Sequence, residues 1–365
     1  MLMTKENYLE ILLNFNLEEK IADVMPFGNG HINDTLKVTT AAGEDKYVLQ
    51  RINHHIFTNV DMLQNNIGIV TSHIRRKLEE GGGKDIDRRV LTFLPAGSGK
   101  SYYFDGESYW RVCLMIPNSK SLEEVTPALS YETGKAFGDF QAMLADIPEG
   151  TLGETIPNFH NMGFRLEQLS DAVKNDAVGR YASVSDIVNE INLRAEKMLI
   201  QERLYKEGKL IKRINHCDTK VNNILFDCET NNPLCVIDLD TVMPGFVLSD
   251  IGDFIRTGAN TGAEDDPDLD KVNVNIEIFK AYTTGYMETA KSFLTPLEIS
   301  LLPYGGRLLT YMQTVRFLAD YINGDTYYKI HFPEHNLQRT KAQFKLLQSL
   351  EEHAGEMDDF MKQWL

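Results

Sequence analysis

The first signals in this sequence are absences. In none of its 365 residues do about 18 apolar side chains run together, so no transmembrane helix is expected. The N-terminus, Met1 to Lys20, has no basic segment leading into a continuous apolar core. Glu6, Glu10, Glu18 and Glu19 interrupt it, which predicts a first helix and no secretory leader. Cysteine is scarce: Cys113, Cys217, Cys228 and Cys235 form no C-x-x-C pair and no zinc spacing. Such thiols read as reduced, and a cytoplasmic protein is expected. Basic residues are also short, with 37 Lys and Arg against 53 Asp and Glu and a formal net charge of −16. That balance argues against nucleic acid, anionic membranes and polyanionic substrates as partners, and leaves neutral or cationic small molecules open. There is no repeat, no low-complexity tail and no exposed apolar heptad, so a monomer is expected. What remains, 42% hydrophobic and 25% charged, is an ordinary globular composition, long enough for two lobes with separate cores.

The chain is organised around His216 to Leu225, His-Cys-Asp-Thr-Lys-Val-Asn-Asn-Ile-Leu. This is H-x-D with an Asn five residues after the Asp, the catalytic-loop pattern of protein-kinase-like phosphotransferases. Further on, the apolar strand Leu234-Cys235-Val236-Ile237 ends in Asp238-Leu239-Asp240. Phosphoryl transfer needs in-line positioning and cancelled charge on the phosphoryl oxygens. Asp218 is expected to accept the acceptor hydroxyl's proton. Asn223 and Asp238 are expected to hold Mg2+, which prefers hard oxygen ligands completed by phosphates and water. An Asx-rich turn between two strands would explain the Asp and Asn of the first segment alone; the Ile-Asp-Leu-Asp that follows at strand–loop–strand distance favours the kinase-like reading.

Upstream, Val24 to Phe27 leads into Gly28-Asn29-Gly30-His31-Ile32-Asn33-Asp34. Strands follow at Thr35–Thr40 and Tyr47–Ile52. A glycine-rich turn between strands lets backbone amides approach a triphosphate, and it also makes a plain hairpin loop. Leu63, Ile67, Val70, Ile74 and Leu78 predict a helix within Asn53 to Glu80. Val90–Leu94 and Glu107–Met115 read as strands four and five of an antiparallel sheet. Ala96-Gly97-Ser98-Gly99-Lys100-Ser101 imitates the end of a P-loop, but Leu94 stands where the motif needs glycine and no helix follows. The Ile116–Lys120 stretch marks a boundary, giving lobes 1–116 and 117–365. Downstream, helices are expected at Tyr131–Ala145, Asp186–Leu204, Asn275–Thr289, Pro296–Asn323 and Asn336–Met361. Asp250 and Asp253 are placed either to cap a helix starting at Ile251 or to brace the catalytic loop.

These segments resemble the aminoglycoside phosphotransferase and choline kinase superfamily, from about the first helix to the last, and within it the N-acetylhexosamine 1-kinases. The sugar-kinase likeness rests on Pro26 to Asn33, Arg316 to Asp325 and Pro333-Glu334-His335-Asn336-Leu337. The resemblance implies an α+β, protein-kinase-like two-lobed fold, with a five-stranded antiparallel sheet in the small lobe and a mainly helical large lobe. It implies ATP- and Mg2+-dependent phosphorylation of the anomeric hydroxyl of a free N-acetylhexosamine. Matching positions assign His31, Asp218, Arg316 and Tyr327 to the sugar, and Gly28, Asn29, Gly30 and Asn33 to the nucleotide. Asn223 and Asp238 fall to magnesium, with Asp240 as a further ligand or a positioning group. From the residues alone, Arg316 is equally a surface or lobe-bracing cation.

One more absence concerns the chemistry. The strand-three lysine of kinases falls at Gln50, and Leu63 to Ile74 contains Gly68 and no glutamate to partner it. Arg51 points to the opposite face by the strand's period of two. Kinases of choline, aminoglycosides or homoserine share the pattern; Arg316 would repel their cations, and no aromatic cage is evident. A pseudokinase is the other alternative, though it has no need of Asp218, Asn223 and Asp238 together.

Overall fold

A computed structural model describes residues 3–28 and 32–365; Asn29, Gly30 and His31 therefore lie outside the described residues. The chain divides into two compact units. One comprises Met1–Leu122, Asp146–Pro157 and Asn222–Met243, and the other Glu123–Ala145, Asn158–Val221 and Pro244–Leu365.

In the first unit, helix α1 (Lys5–Leu12) precedes an antiparallel sheet of β1 (Ile21–Pro26), β2 (Asp34–Thr40), β3 (Asp45–Ile52), β4 (Phe93–Leu94), β5 (Tyr103–Phe104) and β6 (Tyr109–Leu114). The order is β1-β2-β3-β6-β4, with β5 also paired to β6. Alternation places Leu36 and Val38 of β2 and Tyr47 and Leu49 of β3 in one core with Ile11, Leu12, Trp110 and Val112. Among the described residues the sheet has six strands where five were expected, the added one being β5 in the strand-like stretch that runs into the hairpin. The fourth strand keeps only Phe93 and Leu94 of the anticipated Val90–Leu94. Helix α2 (Val60–Glu80) buries Leu63, Ile67, Val70, Ile74 and Leu78 as its spacing requires. It starts later than Asn53 because the Asn59 side chain caps it, accepting from the Met62 amide at 3.0 Å. The P-loop imitation is a turn, with the Ala96 N–H donating to the Lys100 carbonyl at 2.7 Å. Strand β7 (Ser119–Ser121) completes this part.

The second unit is helical: α3 (Pro127–Leu144), α4 (Met162–Asn175), α5 (Ser185–Met198) and α6 (Ile200–Lys206), followed by β8 (Arg213–Asn215). The chain then adds β9 (Ile224–Asp227) and β10 (Pro233–Val236) to the first unit, in the order β10-β9-β7. It returns to the second unit as α7 (Val247–Gly258), α8 (Ile276–Ala290), α9 (Pro296–Ile322), α10 (His335–Glu352) and α11 (Ala354–Met361). Helices α3 and α8 approach at backbone distance: a Cβ on Gly134 would lie 2.0 Å from the Tyr282 carbonyl oxygen. Helix α4 was not anticipated from the sequence. The expected Asp186–Leu204 helix is broken at Leu199, and the last helix at His353. Among the described residues no helix is long and apolar enough to cross a membrane.

Candidate active site

The segment expected to form the catalytic loop follows β8 and is held by α7. That helix begins at Val247, so Asp250 does not cap a helix at Ile251; it lies in the first turn and is fully buried. Its carboxylate faces the loop, accepting from the His216 N–H at 2.8 Å and the Cys217 N–H at 2.7 Å. Gln141 of α3 donates to it at 2.5 Å, and Tyr286 of α8 donates to the Gln141 carbonyl. The Thr219 hydroxyl donates to the Asp250 backbone carbonyl. Cys217 is thereby held at φ 64°, in the left-handed region a cysteine rarely adopts. Burial pushes the Asp250 carboxyl up to about 6, against the opposing pull of these hydrogen bonds. The His216 ring lies between the edges of Phe137 and Phe140 at 5.5 and 5.9 Å.

One residue beyond this braced segment, Asp218 keeps 28% of its side chain exposed, with Lys220 Nζ 2.7 Å from its Oδ1. Burial would lower the Lys220 pKa, but the Asp218 and Asp253 carboxylates outweigh it and hold the ammonium charged. Sequence reasoning gave Lys220 no role; its place two residues from the Asp was the available signal.

The second unit gathers a cationic cluster in the electrostatic field of Asp218. His160, stacked on Phe159 at 4.4 Å, is pushed down to about 3 by burial and by Arg316, Arg165 and Arg256, with Asp218 opposing. It is therefore a neutral imidazole, and its buried Nδ1 has no hydrogen-bond partner among the described residues. Arg316 of α9 lies over Phe159 at 5.4 Å and Tyr328 at 5.5 Å and donates to Gln313 at 3.1 Å. Arg165 of α4, 9% exposed, donates to the Phe159 carbonyl at 2.9 Å and to Gln168 at 2.8 Å. Its Nε is buried without a partner. Burial and Arg316 lower the Arg165 pKa to about 10. Neither guanidinium forms an ion pair among the described residues. Tyr327 is 64% exposed, its ring 4.8 Å from that of Tyr328; it is Tyr328 that packs against Arg316. Asp320 fixes this segment, accepting from the amides of Thr326, Tyr327 and Tyr328 at 2.8–2.9 Å. His160, Arg165 and Tyr328 were missed by sequence reasoning.

In the first unit, the β9–β10 pairing brings Asn223 and Asp238 together: Val236 stands opposite Ile224, and the Ile237 N–H donates to the Asn223 carbonyl at 2.9 Å. Asp238 is left-handed, at φ 58° and ψ 56°, ahead of a single turn, Leu239–Thr241. An amide oxygen and a carboxylate at one hairpin end form a hard-oxygen donor pair that suits Mg2+ completed by phosphate and water. Among the described residues no cluster of three or more His, Cys, Asp or Glu forms an all-protein cage.

Asp240, 2% exposed, accepts both arms of the Arg111 guanidinium at 2.5 and 2.9 Å. It also accepts from the Asn33 amide at 2.5 Å. Arg111 sits on β6 directly opposite Gln50, and its Nε donates to the Gln50 Oε1 at 2.9 Å. Asn33, in turn, accepts from the Asn53 N–H at 2.9 Å. Arg51, on the other face, pairs with Asp34. Gly28 has a φ of 76°, which a side chain would strain.

The model of the phosphotransferase enzyme family matches residues 23–282, and the chain belongs to that family. Its fold is that of aminoglycoside phosphotransferases and their kinase relatives. An aminoglycoside phosphotransferase from Alicyclobacillus acidocaldarius is similar at 12% identity and a TM-score of 0.60, over 98% of each chain. A spectinomycin phosphotransferase solved with ADP and spectinomycin aligns at 13% identity and a TM-score of 0.57, over 98% of this chain and 100% of its own. An ethanolamine kinase from Plasmodium vivax aligns at 15% identity and a TM-score of 0.52, over 90% and 82%. The family assignment makes the chain a phosphotransferase.

Proposed function

We propose that this phosphotransferase uses ATP and Mg2+ to phosphorylate the anomeric hydroxyl of a free N-acetylhexosamine, N-acetylglucosamine or N-acetylgalactosamine, giving the sugar 1-phosphate. The observation that carries the acceptor class is the pair Arg165 and Arg316, which share Phe159 and have no carboxylate partner among the described residues. Two uncompensated guanidiniums favour an acceptor rich in hydroxyl and carbonyl oxygens and disfavour an ammonium. Aminoglycosides, ethanolamine and choline are cations, so the neighbours' acceptors fit this cluster poorly.

In this reading Asp218 takes the proton from the anomeric hydroxyl, with Lys220 keeping the carboxylate ionised and oriented. Arg316, His31 and Tyr327 hold the ring hydroxyls, and the neutral His160 and Tyr328 accompany Arg316 in the second unit. Asn223 and Asp238 hold magnesium, and Asp240 serves as a positioning group because both its oxygens are taken. The loop Gly28, Asn29, Gly30 and Asn33 covers the phosphates. Bound magnesium would cancel charge on the phosphoryl oxygens. Phosphorus NMR of the product, over a panel of free sugars, ethanolamine, choline and aminoglycosides, tests the proposal. A sugar 1-phosphate supports it. A 6-phosphate, or faster turnover of any cationic acceptor, refutes it.

A further inference from the structure

The chain lacks the strand-three lysine and its helix glutamate, yet it keeps a buried cation–carboxylate pair in the same unit. From this geometry we infer that Arg111 and Asp240 replace that pair, as positioning residues for the metal-binding Asp238. In kinases the lysine and glutamate must be in place before the phosphates are aligned. Here Gln50 occupies the lysine position, and its side chain receives the Nε of Arg111 from the facing residue of the next strand. The cation has moved one strand across while staying beside residue 50. Its two remaining donor arms run to Asp240, two residues after Asp238.

The pair has a defined mechanical consequence. Asp238 stands in the left-handed region, which a non-glycine residue holds only when its surroundings impose it. The turn Leu239–Thr241 that follows is fixed through Asp240 by a bidentate guanidinium, the most directional ion pair available to a protein. Asn33, at the end of the glycine-rich loop, donates to the same carboxylate. Asp240 is thus a junction between the loop expected over the phosphates, the central sheet, and the metal-binding turn. Gln50 keeps Arg111 in register, itself donating to Thr35 at 3.1 Å.

This inference rests on the reading of the chain as an ATP-dependent kinase, and not on which alcohol it phosphorylates. Its test is calorimetric binding of ADP to the full chain across a magnesium titration, with no acceptor present. Arg111→Gln should weaken Mg·ADP binding about tenfold or more and raise the magnesium concentration at half-saturation, the range typical for loss of a group that orients a metal ligand. Metal-free ADP should bind as in the wild type. The double variant Gln50→Lys with Arg111→Gln, which returns the cation to strand three, should recover affinity to within about threefold. A purely structural role would lower the melting temperature without moving the magnesium midpoint. A folded Arg111→Gln protein with wild-type magnesium dependence overturns the inference. Should that variant not fold, Asp240→Asn decides in the same assay, an unmoved midpoint again counting against it. If the wild type binds no Mg·ADP, the kinase reading itself falls, and the inference with it.

Discussion

Removal of the Asp250 carboxylate probes how the catalytic loop is held. In Asp250→Ala, three buried donors lose their acceptor: the amides of His216 and Cys217 and the Gln141 side chain. Leaving a buried donor unpaired costs about 1–3 kcal/mol, so the three together cost roughly 3–9 kcal/mol before relaxation. Against this stands the cost of keeping the carboxylate ionised in a dry site. Its pKa rises from 3.8 to about 6, worth roughly 3 kcal/mol at neutral pH. The net expectation at pH 7 is a loss of about 3 kcal/mol, measured by urea unfolding. Cys217 is then free to leave its φ of 64°, and displacement of Asp218 by about an ångström should cost kcat on the order of 100-fold.

The pH dependence supplies the sign. A carboxyl whose folded pKa is raised contributes stability that is fully present below its unfolded value of 3.8 and is lost as pH rises through about 6. The wild type therefore recovers this contribution on acidification from pH 7 towards pH 4, and the alanine variant does not. The stability difference between the two proteins should widen by roughly 3 kcal/mol across that window. If it stays constant or narrows, the hydrogen bonds outweigh burial and the reasoning is refuted.

Asp218→Asn should lower kcat by ~10²–10⁴-fold while leaving nucleotide and acceptor dissociation constants within several-fold by calorimetry; more than about a tenth of the wild-type rate would remove the carboxylate from the proton-accepting role. Asn223→Ala and Asp238→Ala should each raise the magnesium concentration for half-maximal rate, and an unchanged titration in both would place the metal elsewhere. Arg165→Met should narrow the preference for N-acetylhexosamines over the corresponding free amino sugars, read as a ratio of kcat/KM values at a pH where the amine is charged. The His160 ring should show no titration in proton NMR above about pH 5, since burial and three arginines hold its pKa near 3; a midpoint near the ordinary histidine value would refute its assignment as a neutral group.

The parts of this site that were legible in the sequence are those packed into a few consecutive residues. His216 to Leu225 and Ile237 to Asp240 can be read from the chain because the residues proposed for proton transfer and metal binding fall within two short segments. The helices with unbroken apolar stripes, such as α2, were legible for the same reason. Arg111 was not, because its significance comes from standing opposite Gln50 in a strand pairing that joins residues far apart in the chain. No local period encodes that register. Helix α4 was missed although its buried positions Met162, Arg165, Leu169 and Ala172 follow helical spacing. An arginine inside the stripe broke the apolar pattern.

The two omissions share a physical origin. A buried charge is costly unless it is paired, and both Arg111 and Arg165 are buried. Arg111 has its pair, with two arms on one carboxylate, and such a closed arrangement holds structure in place. Among the described residues Arg165 has only a carbonyl and an amide as hydrogen-bond partners, and one nitrogen with none. A chain carrying 16 surplus negative charges has carboxylates in abundance, so the open arrangement around Arg165 and Arg316 does not arise from a shortage of anions. Leaving these guanidiniums uncompensated costs stability, and the oxygens of a bound acceptor would supply the missing partners. On the proposed reading, the closed arginine serves positioning and the open one recognition.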